Sequence, residues 1–212
     1  MNLQFKHPMT CMIAGPTGCG KTMFVRKLLK YKKDMFSPPP QKIIWCYGVY
    51  QSGYASLLQE NPNIELVEGF PHNFEALINP NIPNLVIVDD LMAECMQDSK
   101  MCALFTRGSH HRNLSVIFIV QNLFQKGKEA RSISLNTQYL IFFKSPRDKS
   151  QIMHLGKQLY PGSSKFVQEA YHDATLKPYG YLLFDLKPDT PEEYRLRTNI
   201  FPDELTIVYV KK

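Results

Sequence analysis

Runs of consecutive apolar residues recur along the chain and predict β-strands buried on both faces. A half-exposed strand would alternate apolar with polar positions instead. The clearest runs, VIFIV and YLIFF, have the length of strands and are far too short to cross a membrane. The predicted strands span residues 9–14, 42–47, 64–69, 84–90, 114–122, 138–145, 180–186 and 205–210.

Between several of these runs, apolar residues recur with helical spacing, as Phe24, Leu28 and Leu29 do. The predicted helices span residues 20–33, about 94–107, 148–159 and 164–172. Buried strands that alternate with helices predict an α/β fold whose mostly parallel sheet is covered on both faces. Because no stretch has the composition of a long linker, we expect a single domain over residues 1–212.

The stretch GPTGCGKT follows the first predicted strand and opens the first predicted helix. It matches the phosphate-loop pattern G-x-x-x-x-G-K-[ST], in which glycines let backbone N–H groups approach a phosphate chain. Lys21 reaches the β and γ phosphates and Thr22 offers its hydroxyl to Mg²⁺, so ATP and Mg²⁺ are the predicted cofactors. The flanking strand and helix disfavour a chance glycine turn. The residues predicted to contact nucleotide are Gly15, Pro16, Thr17, Gly18, Cys19, Gly20, Lys21 and Thr22.

Two carboxylates end the predicted strand LVIVDD, at the sheet edge where ligands of parallel sheets bind. Asp89 is predicted to hold Mg²⁺, directly or through water. Asp90 is predicted to accept a proton from the attacking water or to orient it. The alternative is a pair of acids that caps the following helix. With the phosphate loop, the acids predict a three-layer P-loop NTPase of the RecA-like ASCE class.

Gln121 ends the apolar strand SVIFIVQ. If this strand neighbours the acid-bearing one, the amide can sense the γ-phosphate or hold the attacking water. The alternative is an ordinary strand-end amide in a turn with Asn122.

Phosphoryl transfer also needs cationic charge at the transition state, and an inserted arginine supplies about 10³- to 10⁵-fold in rate. We expect one arginine to serve a neighbouring subunit, with Arg107 and Arg131 ranked ahead of Arg112 and Arg147. Each is also a candidate for an ordinary solvated or ion-paired arginine.

The net charge of +6 and the isoelectric point near 9.0 fit a polyanionic partner, and they equally fit a solvated basic surface. Five cysteines, an odd number without a C-x-x-C pair, predict a reduced chain in which they act as small apolar residues. His110 and His111 have no other ligand at metal-binding spacing. No signal-peptide core is present, so we expect a soluble intracellular protein without a membrane partner.

With these residues assembled, the chain resembles the viral genome-packaging ATPases of the FtsK–HerA superfamily, above all the poxvirus-type enzymes of Polinton-like and adintovirus-like elements. The matching segments, which cover nearly the whole chain, are GPTGCGKT, LVIVDD, RGSHHRNLSVIFIVQN, SLNTQYLIFFKSPRDKSQI and DATLKPYGYLLFDLKPDT. Related enzymes often carry Gly-Arg-His before the fourth strand. Here the run reads Ser109-His110-His111, which displaces the arginine to Arg107 or Arg112.

The resemblance implies a motor that hydrolyses ATP to move double-stranded DNA into a procapsid. Its partners would be DNA, capsid or portal-like proteins, and further copies of the chain in a homo-oligomeric ring. The implied location is the host nucleus or a viral factory, and the virion. Lys126, Lys128 and Arg131 are candidates to line the pore.

Two other function classes stay open from the residues alone. A P-loop nucleotide or small-molecule kinase would need an arginine-rich acceptor lid, which Arg147, Arg195 and Arg197 could form. A nucleotide-binding switch that does not hydrolyse would keep the loop and lose the acid at position 90, which is present.

Overall fold

The computed structural model describes residues 3–71, 73–91, 113–124 and 128–211. Its strands are β1 Phe5–Lys6, β2 Thr10–Ala14, β3 Phe36–Ser37, β4 Lys42–Tyr47, β5 Ile64–Glu68, β6 Asn84–Asp89, β7 Leu114–Val120, β8 Tyr139–Phe143, β9 Tyr181–Asp185, β10 Leu196–Thr198 and β11 Ile207–Tyr209. Its helices are α1 Lys21–Lys30, α2 Lys32–Met35, α3 Gly53–Glu60, α4 Phe74–Leu77, α5 Lys128–Leu135, α6 Ser150–Leu159 and α7 Ser164–Ala174. None of the helices in these described ranges is long and apolar enough to span a membrane.

The main sheet has the strand order β11-β10-β9-β8-β2-β7-β6-β4-β5. Strands β8 through β5 in this order run parallel, and β9, β10 and β11 extend the sheet antiparallel. Strand β7 lies between the strand that precedes the phosphate loop, β2, and the strand that carries the acids, β6. A short separate pair joins β1 to β3.

The central strands are apolar without interruption because both of their faces are covered. Every residue of β2, β6, β7 and β8 is buried. Neighbouring residues of one strand enter different cores: Met12 packs with residues of α6 and α7, and Ile13 packs with residues of α1 and α3. The molecule therefore has three layers, as the pattern of apolar runs predicts.

The predicted α/β fold class with a mostly parallel central sheet is confirmed, and every predicted strand is present. Strand β11 is shorter than the predicted 205–210 segment. The sequence pattern missed the shorter elements, none of them longer than eight residues, which are β1, β3, β10, α3, α4 and α5; it also merged α2 into the first predicted helix. Elements this short contain too few apolar positions to reveal a period. The helix predicted at 94–107 lies outside the described residues.

A buried ion pair joins the two antiparallel strands β9 and β10. The Arg197 guanidinium donates to the Asp185 carboxylate at 2.9 Å, and both side chains are almost fully buried. Thr190 donates its hydroxyl to the other carboxylate oxygen at 2.8 Å. Burial lowers the pKa of Arg197 even though Asp185 opposes this shift. Because neither charged group is solvated by water, each is stabilised in the core by its opposite charge, and removal of one would leave the other buried without compensation.

We expect Arg197→Ala to lower the free energy of unfolding by about 3–5 kcal/mol, since it leaves the Asp185 carboxylate buried without its cation. Urea denaturation followed by circular dichroism measures the loss. The matched control is Lys165→Ala, which breaks the exposed Lys165–Glu169 pair and should cost at most about 1 kcal/mol. Equal effects of the two substitutions would contradict this account.

Candidate nucleotide-binding site

Three of the predicted functional segments meet at one edge of the sheet. Strands β2, β7 and β6 run parallel, and their carboxyl ends lie in register, with Ala14 opposite Val120 and Asp89 opposite Ile119. The phosphate loop and Gln121 directly follow β2 and β7, and Asp89 is the last residue of β6, with Asp90 next to it. Together they line a cleft of about 870 Å³.

The phosphate loop curls back on itself. The Gly15 N–H donates to the Val120 carbonyl at 3.2 Å, and the Cys19 N–H donates to the Pro16 carbonyl at 3.3 Å. Gly18 and Gly20 have φ angles of 78° and 105°, in the region that side chains disfavour. At Gly15 a Cβ atom would lie 2.7 Å from the Cys19 sulfur, so the loop has no room for a side chain there.

Helix α1 begins directly after the loop, with Gly20 as its N-cap. No side chain caps this end, and no acidic residue lies in the first turn. The free N–H groups and the positive end of the helix dipole therefore face the cleft, which suits a phosphate. On this geometry, the phosphate loop and the N-terminus of α1 fit the phosphate chain of the predicted nucleotide.

The Lys21 ammonium lies within the loop. It donates to the Gly15 carbonyl at 2.5 Å and to the Pro16 carbonyl at 3.0 Å. Both acceptors belong to the loop that would surround the phosphates. The ammonium is therefore already held beside the predicted phosphate position.

Asp89 is 4% exposed and accepts a hydrogen bond from the Tyr54 hydroxyl at 3.0 Å. Burial is the main cause that raises the pKa of Asp89, and Asp90 adds to it, while Tyr54 and Lys21 oppose the shift. Sequence reasoning missed Tyr54. Tyr54 lies on α3, which follows β4 in the chain. To predict its contact with Asp89, one would have to know that β4 lies beside the acid-bearing strand β6. That adjacency is visible only in the sheet order.

Asp90 has a left-handed backbone, with φ of 57°, and its side chain is exposed, unlike that of Asp89. Its carboxylate accepts a hydrogen bond from the Gln121 amide at 3.2 Å. Because β6 and β7 are neighbours, the structure joins the two side chains that the sequence analysis assigned to the attacking water. Aspartate tolerates left-handed backbone better than most residues, so it suits this turn.

Of the four predicted arginines, the two that the structure describes are not brought into the cleft. Arg107 and Arg112 lie outside the described residues. Arg131, on α5, and Arg147 are exposed and do not line the cleft. Arg26 of α1 does line it, although the sequence analysis did not single it out. Its guanidinium is held by Ser56 at 3.0 Å and Glu60 at 2.6 Å.

The arginines suggested for a kinase lid do not form one. Arg197 forms a buried ion pair with Asp185, and Arg195 donates to the Asp185 and Lys187 backbone carbonyls. Neither residue lines the cleft. These contacts join strands and turns of the antiparallel edge, so they serve the fold.

Thr22 and Asp89 both line the cleft and offer oxygen ligands of the kind that Mg²⁺ prefers. Within the parts of the chain that the structure describes, no group of three or more histidine, cysteine, aspartate or glutamate side chains could hold a metal. A magnesium site of few protein ligands does not need such a group, because substrate phosphates and water complete its shell.

Comparisons with solved structures identify the fold. The chain resembles the DNA-packaging ATPase B204 of Sulfolobus Turreted Icosahedral Virus, with a TM-score of 0.59, 15% identity and full coverage of both chains. It also resembles the genome packaging NTPase B204 of Sulfolobus turreted icosahedral virus 2 in complex with ATP-gammaS, with a TM-score of 0.55 and 14% identity over 90% of this chain and 96% of that one.

A third similar structure is the cytoplasmic domain of the Thermomonospora curvata Type VII Secretion ATPase EccC, with a TM-score of 0.55 and 11% identity. The match covers 86% of this chain and 24% of that one. No protein-family model matches the chain, and no curated protein sequence matches it significantly. At these identities the likeness establishes the P-loop ATPase fold.

We expect Asp89→Asn to raise the melting temperature of the nucleotide-free protein at pH 7. Burial disfavours the ionised carboxylate, and an asparagine oxygen can still accept the Tyr54 hydrogen bond. Because the folded pKa is raised, the wild-type chain loses stability as pH rises from the ordinary aspartate value, about 4, through the folded value. The gain should therefore shrink in acid.

Calorimetry from pH 4 to pH 8 measures this difference, with Asp90→Asn as the matched control. The Asp90 side chain is exposed, so its neutralisation should leave the melting temperature nearly unchanged. A melting temperature for Asp89→Asn at or below that of wild type at pH 7 would contradict the prediction.

Proposed function

We propose that this chain is an ATP-hydrolysing translocase that packages double-stranded viral DNA into a procapsid. The observation that carries the proposal is the convergence of the phosphate loop, the Asp89–Asp90 pair and Gln121 at one sheet edge. The fold is one that DNA-packaging ATPases share. ATP and Mg²⁺ are the proposed cofactors.

The residues of the cleft take separate roles. The N–H groups of residues 15–22 bind the phosphate chain, and Lys21 exchanges its contacts with loop carbonyls for phosphate oxygens. Thr22 and Asp89 would hold Mg²⁺, which would supply positive charge at the phosphates. Asp90 orients the attacking water and accepts its proton, and Gln121 holds the Asp90 carboxylate in place.

A second subunit completes the site. Apart from Lys21, the described cleft is lined by the cations of Arg26, Lys27 and Lys30. Carboxylates already engage Arg26 and Lys27. Lys30 is the last residue of α1, at the opposite end of the helix from the phosphate loop. We therefore assign the missing transition-state cation to an arginine of a neighbouring copy, Arg107 or Arg131. This requirement supports a homo-oligomeric ring. The ring also suits a motor that surrounds DNA.

The basic charge of the chain suits a channel that contacts phosphates without reading bases. We assign the chain to the poxvirus-type branch of the FtsK–HerA superfamily on the segments that resemble it. Capsid or portal-like proteins are the further partners. The host nucleus or a viral factory, and the virion, are the sites of action.

The kinase alternative loses its support because Arg195 and Arg197 make structural contacts in the antiparallel part of the sheet and are not free to bind an acceptor. The non-hydrolysing switch loses its support because Asp90 is present and bonded to Gln121. A kinase would turn over ATP at a rate that does not depend on DNA, and a switch that does not hydrolyse would show no turnover.

We expect steady-state ATP hydrolysis to rise when long double-stranded DNA is added. The turnover per subunit should also rise with protein concentration, because the arginine comes from a neighbour. Phosphate release, measured with and without DNA over a series of protein concentrations, checks both. DNA affinity should fall with salt at a log–log slope near −0.9 per phosphate contacted. DNA-independent turnover, or phosphate transfer to a small acceptor, would contradict the motor.

We expect Asp90→Asn to abolish hydrolysis and to leave ATP affinity largely unchanged. The amide cannot take a proton from water, while the phosphate loop is untouched. Single-turnover hydrolysis and equilibrium ATP binding, measured on the same preparation, separate the two effects. Lys21→Ala is the comparison variant and should weaken binding itself. Turnover equal to wild type in Asp90→Asn would remove Asp90 from the mechanism.

A further inference from the structure

The strand order places the parts of the site along a line. In the order β9-β8-β2-β7-β6, the acids and Gln121 lie on one side of the phosphate loop, at the ends of β6 and β7. On the other side lie β8 and β9. A nucleotide whose γ-phosphate faces the acids must therefore direct its base toward the β8–β9 side of the cleft.

That side of the cleft is aromatic. Phe24, Phe143, Tyr181 and Phe201 line it, and all four are buried. They pack against one another, with Phe24 at ring-centroid distances of 5.7 Å, 4.8 Å and 5.0 Å from the other three. Because these four rings pack against one another in the core, they form the base of the cleft. They offer no free ring face on which a nucleotide base could stack.

Tyr179 differs from these four rings because it is 67% exposed. Among the described aromatic residues that line the cleft, it alone is exposed. A Cβ atom built on Gly20 would lie 3.3 Å from a ring carbon of Tyr179, so the ring lies directly against the phosphate loop. An exposed ring beside a loop made for phosphates is placed where the rest of a nucleotide would go.

The backbone holds Tyr179 in an unfavourable conformation. Its φ angle is 60°, in the left-handed region that bulky residues rarely adopt. The Gly180 N–H donates to the Lys177 carbonyl at 3.2 Å, and the Gly180 carbonyl accepts from the Lys144 N–H at 3.0 Å. The turn is thus tied to the end of β8. Strain retained at an exposed aromatic residue is typical of functional positions.

We propose that Tyr179 forms the stacking surface for the nucleotide base, with Met23 as a second apolar side chain of the subsite. Met23 lies on α1, is 63% exposed and lines the same cleft. This inference rests on the proposed nucleotide-binding function and assigns the base subsite within it. Because every base offers a π-face, the contact contributes to the affinity for ATP and GTP alike.

The test compares two ligands, MgATP and magnesium tripolyphosphate, which has the phosphates without the base. Calorimetric titration of wild type should show tighter binding of ATP. In Tyr179→Asn the affinity for ATP should fall about 10- to 100-fold, the range expected for a lost stacking contact, and that for tripolyphosphate should stay at the wild-type value. Tyr179→Phe is the matched control: it keeps the ring and should keep the affinity for ATP.

Asparagine is chosen at position 179 so that a loss of ATP affinity does not arise from a folding defect. Asparagine tolerates the left-handed backbone, so the melting temperature without ligand should be no lower than that of wild type. Wild-type ATP affinity in Tyr179→Asn, or an equal loss for both ligands, would overturn the base subsite. A wild-type chain that binds tripolyphosphate as tightly as ATP would overturn it too and leave the phosphate site intact. A wild-type chain that binds neither would overturn the proposed function as well.

Discussion

The parallel pairing of β7 with both β2 and β6 is the constraint on which the site depends. Each strand delivers a functional segment at its carboxyl end, and the shared direction places the three ends at one edge. Since β7 is hydrogen-bonded on both sides and buried throughout, its position cannot shift without loss of the core. The distance between the phosphate loop and the acids is therefore set by one strand of fixed width.

The two neighbouring acids show how one backbone turn separates two environments. Asp89 is the last residue of β6, buried and bonded to Tyr54, and its pKa is raised by burial. Asp90 leaves the strand with a left-handed backbone and is exposed at Gln121. Burial of a carboxylate costs stability in the free protein, and a bound cation would compensate that cost. Stability of the free protein and the proposed magnesium binding thus make opposite demands on this position.

The antiparallel edge of the sheet extends the cleft beyond the phosphate loop. Strand β9 pairs with β8 and brings Tyr181 into the aromatic cluster around Phe24. The turn before it carries Tyr179 against the loop. The buried Asp185–Arg197 pair lies at the far end of β9, where it joins this strand to β10. An ion pair remote from the cleft thereby helps to hold the edge that lines it.

The sequence by itself determined the α/β class, the parallel strands and the position of the glycine-rich loop, because continuous apolar runs and a glycine-rich motif are local patterns. It also named Asp89, Asp90 and Gln121, since strand ends are visible as the first polar residues after an apolar run. Only the tertiary structure decided that Gln121 contacts Asp90, that Tyr54 contacts Asp89, and that Arg195 and Arg197 serve the fold. These contacts join residues far apart in the chain, and the order of strands in the sheet, which no local pattern encodes, brings them together.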